Sequence, residues 1–137
     1  MTKARDIMHA GADCIGQNQT LAEAARMMRD LNVGALPICG DDDRLHGIIT
    51  DRDIVIKCIA ENGDPGSMTA EQLAQGTPVF VEADDDVSEV LGLMGQRQVK
   101  RVPVVEDRRL VGMISEADLA RNLSEDQLGQ FVELLTA

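Results

Sequence analysis

The chain repeats itself. Residues 7–37 superpose on 73–103 at a constant shift of 66, with Leu21-Ala22-Glu23-Ala24-Ala25 falling on Val87-Ser88-Glu89-Val90-Leu91 and Leu36-Pro37-Ile38 on Val102-Pro103-Val104. One deletion brings the shift to 65, and Leu45–Ile54 then lies on Leu110–Leu119. A period of this length marks one structural unit used twice. It restricts the fold to architectures with two like halves, 1–66 and 67–137. The chain has 137 residues, and a half-length piece alone buries only about 60% of its unfolded surface, which leaves it marginal. The halves are therefore expected to lean on each other.

Each repeat reads as strand, helix, strand, strand, helix. A short extended piece, Cys14–Gly16 or Val79–Val81, precedes Thr20 or Asp86, each a helix cap with a glutamate three residues on in a capping-box pattern. Leu21, Ala24, Ala25, Met28 and Leu31 recur at helical spacing, as do Val87, Val90, Leu91 and Met94, so each helix has one apolar face to bury. Asn32-Val33-Gly34 stops the first helix. Two β-rich runs follow, Ala35–Cys39 and Leu45–Ile49, joined by Gly40-Asp41-Asp42-Asp43; Val102–Val105 and Leu110–Ile114 repeat them. Closing helices are predicted over about 51–61 and 116–122. A further amphipathic helix opens with Ser124 and Gln127 and carries Leu128, Phe131, Val132 and Leu135 on one face. Asn62–Ser67, with its Gly-Asp-Pro-Gly, reads as the linker. The fold class is thus mixed α/β: two β-α-β-β-α repeats plus a C-terminal helix.

Composition narrows the partners. The net charge is -11, and both halves are acidic, -4 over 1–66 and -7 over 67–137. Nucleic-acid binding relies on clustered Lys and Arg and often on aromatic stacking, whereas Trp and Tyr are absent and Phe occurs twice. Neither nucleic acid nor an anionic membrane is an expected partner. No apolar run approaches spanning length and the N-terminus leads to no signal core, so the expected home is cytoplasmic. A flat ligand ring would have to lie between Ile, Val, Met and Pro side chains. No nucleophile elbow, phosphate-binding loop or dinucleotide fingerprint is visible, and the chain is read as a non-enzyme.

The order Arg5-Asp6-Ile7-Met8, Thr20-Leu21-x-Glu23-Ala24, Gly34-Ala35-Leu36-Pro37-Ile38 and Gly47-Ile48-Ile49-Thr50-Asp51-Arg52-Asp53-Ile54, then repeated, resembles a tandem pair of cystathionine-β-synthase (CBS) domains, a Bateman module, over almost the whole chain. Gly34–Cys39, Asp41–Gly47 and Thr50–Asp53 are further similar to the stand-alone, hypoxic-response branch of that family in actinobacteria. The resemblance implies two repeats packed through their sheets with pseudo-two-fold symmetry, clefts between them that take adenosine-containing ligands, and homodimers forming four-repeat discs. It also implies a Thr/Ser-x-x-Asp motif that holds ribose hydroxyls, carried here by Thr50 with Asp53 and Ser115 with Asp118.

The residues themselves leave two roles open. A carboxylate can accept two hydrogen bonds from a cis-diol, yet the same residue types at the same spacing form a capping box with no ligand implied. Lys100 and Arg101 precede Val102-Pro103, where nucleotide-binding relatives often carry a basic residue; Gly34-Ala35 stands there in the first repeat. Arg101 can fork onto two phosphate oxygens, or both side chains can be solvated strand-edge groups paired with nearby carboxylates. Arg52 is a further phosphate candidate. With so acidic a chain, a bound nucleotide is expected at one dominant site and as an AMP-like monophosphate, with no cofactor required.

Cys14, Cys39 and Cys58 have no zinc spacing, and His9 and His46 do not supply one. If the CBS resemblance holds, the strands that carry Cys14 and Cys39 are neighbours, and a disulfide between them is open on topology alone; buried thiols packing as small hydrophobes is the other reading. Asp41-Asp42-Asp43 and Asp84-Asp85-Asp86 lack the alternating ligands of a calcium loop and read as turn and cap chemistry. Two functions are therefore carried forward: a regulatory module that senses an adenosine-containing metabolite and signals through a protein partner or its own dimer, and a ligand-free stress- or hypoxia-response interaction protein, stabilised by a Cys14–Cys39 bridge.

Overall fold

A computed structural model describes residues 2–11, 13–74 and 78–136, the side chains of 134–136 excepted. In chain order, α1 (Ala4–Ile7) and β1 (His9–Ala10) lead in, and β2 (Ile15–Gly16), α2 (Leu21–Leu31), β3 (Ala35–Cys39), β4 (Leu45–Thr50) and α3 (Asp51–Ile54) follow. A π-helical turn over Val55–Ile59 extends α3. Next come α4 (Ala70–Leu73), β5 (Val81–Glu82), α5 (Val87–Arg97), β6 (Arg101–Glu106), β7 (Arg109–Ser115), α6 (Glu116–Asn122) and α7 (Glu125–Thr136). The mixed α/β class and the strand-helix-strand-strand-helix order read from the repeat are both present.

The compact units are not the sequence repeats. One is Asp13–Pro78; the other joins Met1–Ala12 to Val79–Ala137. In the first, β2 lies parallel to β3 and β3 antiparallel to β4. In the second the sheet order is β1-β7-β6-β5, so the N-terminal lead-in pairs with the last strand of the second repeat. The lead-in is tied down by the Arg5 N–H donating to Ala83 O at 3.0 Å and the Val87 N–H to Thr2 O at 2.9 Å. The lead-in of the second repeat likewise folds onto the first unit, where the Ala70 N–H donates to Gln19 O at 2.9 Å and the Glu71 N–H to Gln17 O at 3.0 Å. A lead-in of so few residues has no core of its own; it buries Ala4 and Ile7, or Ala70 and Leu73, wherever a sheet end is uncovered. Asn62–Ser67, read as a linker, is a structured turn, with the Gly63 N–H on Cys58 O at 2.8 Å and the Ala22 N–H on Pro65 O at 2.9 Å.

Two core clusters result. In the first unit Ile15, Leu21, Ala24, Met28, Leu36, Ile38, Ile49, Ile54 and Cys58 are buried together. Ala25 and Leu31, expected on the same helix face, are exposed. Ala25 stands one residue, about 100°, from Ala24, and Leu31 lies in the last turn before the left-handed Asn32 (φ 57°) reverses the chain. In the second unit Val87, Val90, Leu91 and Met94 all enter the core, as expected. Of the predicted α7 face, Phe131 is buried, Leu128 is half-buried and Val132 is exposed; the side chain of Leu135 lies outside the described residues.

Thr20 and Asp86 cap their helices as expected, but neither Glu23 nor Glu89 closes a capping box. Thr20 accepts from the Glu23 N–H, and Glu23 returns its carboxylate to the Gln19 side chain at 2.8 Å. Asp86 accepts from the Ser88 N–H at 2.9 Å, the Asx-type bond two residues on, so no Asp86–Glu89 box forms. Ser124 and Gln127 make the reciprocal pair expected of them. The two aspartate runs are turn and cap chemistry: Asp43 sits at φ 63°, Asp42 accepts from the Arg44 N–H, and Asp84 is held by Arg5 at 2.7 Å. Arg5 bonded to Asp84 keeps that carboxyl below its ordinary range. Arg5 also bonds Glu106.

Candidate functional site

Thr50 and Ser115 each end a strand and start a helix, so their side chains stand where the sheet stops and the first turn leaves its N–H groups unpaired. Both make capping boxes. The Thr50 N–H donates to Asp53 Oδ2 at 3.0 Å and the Asp53 N–H to Thr50 Oγ1 at 3.0 Å. The Ser115 N–H donates to Asp118 Oδ2 at 2.8 Å and the Asp118 N–H to Ser115 Oγ at 3.3 Å. The capping role is thus present at both positions.

Beyond the cap the two aspartates differ. Lys57, one turn on, reaches Asp53 Oδ1 at 3.2 Å, and the side chain keeps 23% exposure. Two contacts leave about two of the carboxylate's four acceptor positions open. Asp118 is 3% exposed and has none to spare. Its Oδ2 accepts from both the Ser115 N–H and the Ser115 hydroxyl, at 3.0 Å for the latter, while Oδ1 takes Arg121 at 2.7 Å and His9 Nε2 at 2.8 Å. Burying a carboxylate is costly unless hydrogen bonds satisfy its oxygens, as they do here.

The strand register completes each site. Ala35 pairs with Thr50, and the Asp51 N–H donates to Gly34 O at 2.9 Å. Arg101 pairs with Ser115, and the Glu116 N–H donates to Lys100 O at 3.1 Å. Lys100 and Arg101 therefore stand beside the saturated aspartate, whereas Gly34, Ala35 and the exposed Arg52 stand beside the open one. The side chains of Lys100, Arg101 and Arg52 make no ion pair with the described residues, so the reading of Lys100 and Arg101 as groups paired with carboxylates is not what is found. Sequence reasoning missed Lys57, Arg121 and His9. The first two were visible as a cation one turn after the aspartate; nothing local marked His9, which arrives from the other end of the chain.

The cysteines form a second cluster. Gly16 pairs with Cys39 across β2 and β3, and this register sets the Cys14 and Cys39 thiols in hydrogen-bonding contact; both are free thiols, as is Cys58 in the core. The Cys39 S–H donating to Cys14 pulls the Cys14 thiol below its ordinary range, and the same contact with burial pushes Cys39 up. An acid shifted down ionises earlier, so Cys14 is expected to alkylate with a pH midpoint below the about 8.5 of a free cysteine, while Cys39 stays unreactive. Mass-spectrometric mapping of iodoacetamide adducts from pH 6 to 10 checks this, and Cys39→Val should return the Cys14 midpoint toward that value. Equal labelling of both thiols would contradict the assignment.

A CBS domain model matches residues 4–59 and 70–125, and the chain belongs to the CBS-domain family as a tandem pair. It is 53% identical over 135 residues to hypoxic response protein 1 of Mycobacterium tuberculosis, covering 98% of this chain and 94% of that one. A crystal structure of hypoxic response protein I with two coordinated zinc ions has a TM-score of 0.85 at 54% identity, covering 90% of this chain and 100% of that one. A CBS domain pair solved with 5'-methylthioadenosine and S-adenosyl-L-methionine has a TM-score of 0.76 at 31% identity, covering 88% and 94%. Among the described residues, no three His, Cys, Asp or Glu side chains gather into a metal-binding group. No helix among them is long and apolar enough to cross a membrane.

Proposed function

We propose that this chain is a stand-alone, non-catalytic regulatory module that binds an adenosine-containing metabolite, with the ribose diol on Thr50 and Asp53. The observation that carries the reading is the half-used Asp53 carboxylate, which keeps two acceptor positions and partial exposure beside a hydroxyl. Arg52, exposed and next to Asp53, is the group at hand for a phosphate, and a single guanidinium favours a monophosphate over longer phosphate chains. Val55, Ile56 and Ile59 are exposed on the helical segment that follows, an apolar stripe that supports the expected homodimer and gives ligand binding a surface to alter.

Calorimetry and thermal shift with AMP, ATP, S-adenosylmethionine and NADH test the reading. AMP is expected to bind more tightly than ATP, and Asp53→Asn to weaken AMP at least about tenfold, the loss of roughly 1.4 kcal/mol of charge-assisted bonding. Asp118→Asn should leave AMP affinity unchanged. If none of the four ligands raises the unfolding midpoint, or if D53N binds AMP as the parent does, the sensor reading fails.

A second reading rests on the thiol pair. In a ligand-free stress-response protein, exchange of the Cys14 and Cys39 thiols with a small-molecule disulfide, which leaves as two thiols, would lock β2 to β3 and, by closing the loop between them, add about 3 kcal/mol of stability. Thiol titration of the oxidised, denatured protein should then find one reactive cysteine, Cys58. Finding three would end this reading.

A further inference from the structure

We infer that the second-repeat site is closed by the chain's own N-terminal segment: His9, with Arg121, occupies the Asp118 oxygen that a sugar hydroxyl would need, so that only the first repeat is open to ligand. The inference rests on the reading that these Asp carboxylates receive a diol, and it adds the regulation of that site.

The argument is one of acceptor positions. Asp118 Oδ2 is turned inward onto the Ser115 N–H and hydroxyl, which belong to the cap. Its Oδ1 is covered by the guanidinium of Arg121 and the imidazole of His9, two side chains that are themselves 60% and 70% exposed. They form a lid of two donor side chains over a carboxylate that is otherwise sealed. A carboxylate offers about four acceptor positions, and all are taken. In the first repeat the same arithmetic leaves two. The difference is written in the residues one turn on: a shift of 65 sets Arg121 on Ile56 and Asn122 on Lys57. An arginine three residues after the aspartate lies on the same helix face and forks onto it, whereas an isoleucine there cannot.

His9 is held in place from outside the site. Its strand β1 pairs with β7, His9 opposite Met113 and Ala10 opposite Gly112, and the Gly11 N–H donates to Val111 O at 3.1 Å. The lid is thus part of the sheet and not a loose side chain. Opening it requires the N-terminal strand to shift or both side chains to be removed.

The test is calorimetric stoichiometry with AMP on the parent, on His9→Ala/Arg121→Ala, and on Ile56→Arg, with far-UV circular dichroism confirming the fold of each. The double variant leaves Asp118 with two partners, as Asp53 has, and is expected to bind one more AMP per chain than the parent. Equal stoichiometry at saturation overturns the lid. Ile56→Arg places the lid's arginine over Asp53 and is expected to weaken parental binding at least tenfold; unchanged affinity also overturns the proposal, and this variant decides the matter should the double variant not fold. The outcomes for the two readings separate. A parent that binds no AMP removes the Thr50–Asp53 assignment, whereas the lid is judged by the difference between variant and parent.

Discussion

Gly112→Val is expected to destabilise the protein by about 3 kcal/mol, at the upper end of what overpacking costs. A Cβ at Gly112 would lie 2.5 Å from Met8 Sδ, 2.9 Å from Met8 Cγ and 2.7 Å from the His9 carbonyl oxygen. The thioether can swing aside, but the carbonyl belongs to a paired strand and moves only if β1 leaves β7. Peeling off β1 would withdraw the anchor that seats Ala4 and Ile7 in the core and would lift His9 from Asp118. The matching Gly47 provides the internal comparison. There the nearest atom to an added Cβ is Ala74 Cβ at 3.1 Å, which is fixed to its backbone and must give by a few tenths of an ångström, a smaller overlap than at Gly112, so Gly47→Val should cost about 1 kcal/mol. Urea denaturation of both variants checks the pair. A Gly112→Val midpoint equal to the parent's would mean that the lead-in strand does not sit on β7.

Leu21→Ala is expected to cost about 2–5 kcal/mol, the range for emptying a fully buried leucine site, and Leu31→Ala less than about 1 kcal/mol. The two leucines share a helix and an apolar stripe in sequence. In the folded chain Leu21 is 0% exposed, at the start of α2 in the core, and Leu31 is 43% exposed in its last turn. Leu21 belongs to the core cluster of Ile15, Ile49, Ala70 and Leu73, and its own N–H is bonded to Met68 O at 2.9 Å, so relaxation there is limited. Chemical denaturation at constant m-value reads both costs, and equal costs would contradict the burial difference.

These contrasts mark what the sequence by itself determined. Repetition and periodicity set the strand-helix-strand-strand-helix order within each repeat, because side-chain alternation and helix caps act within a few residues of themselves, but not the lead-in elements α1, β1 and α4. The same locality made Thr50–Asp53 and Ser115–Asp118 legible as caps and the aspartate runs legible as turns. What the tertiary structure alone decided is which lead-in covers which sheet, and with it how many partners each aspartate has. In sequence, the two motifs are near equivalents. Part of the difference is local, Arg121 standing where the first repeat has Ile56; the rest is His9, 109 positions away from Asp118, brought there because a short apolar lead-in must find an uncovered sheet end to bury itself. Contacts formed over such separations leave no periodic trace, since they depend on complementary surfaces that exist only after the sheet they join has folded.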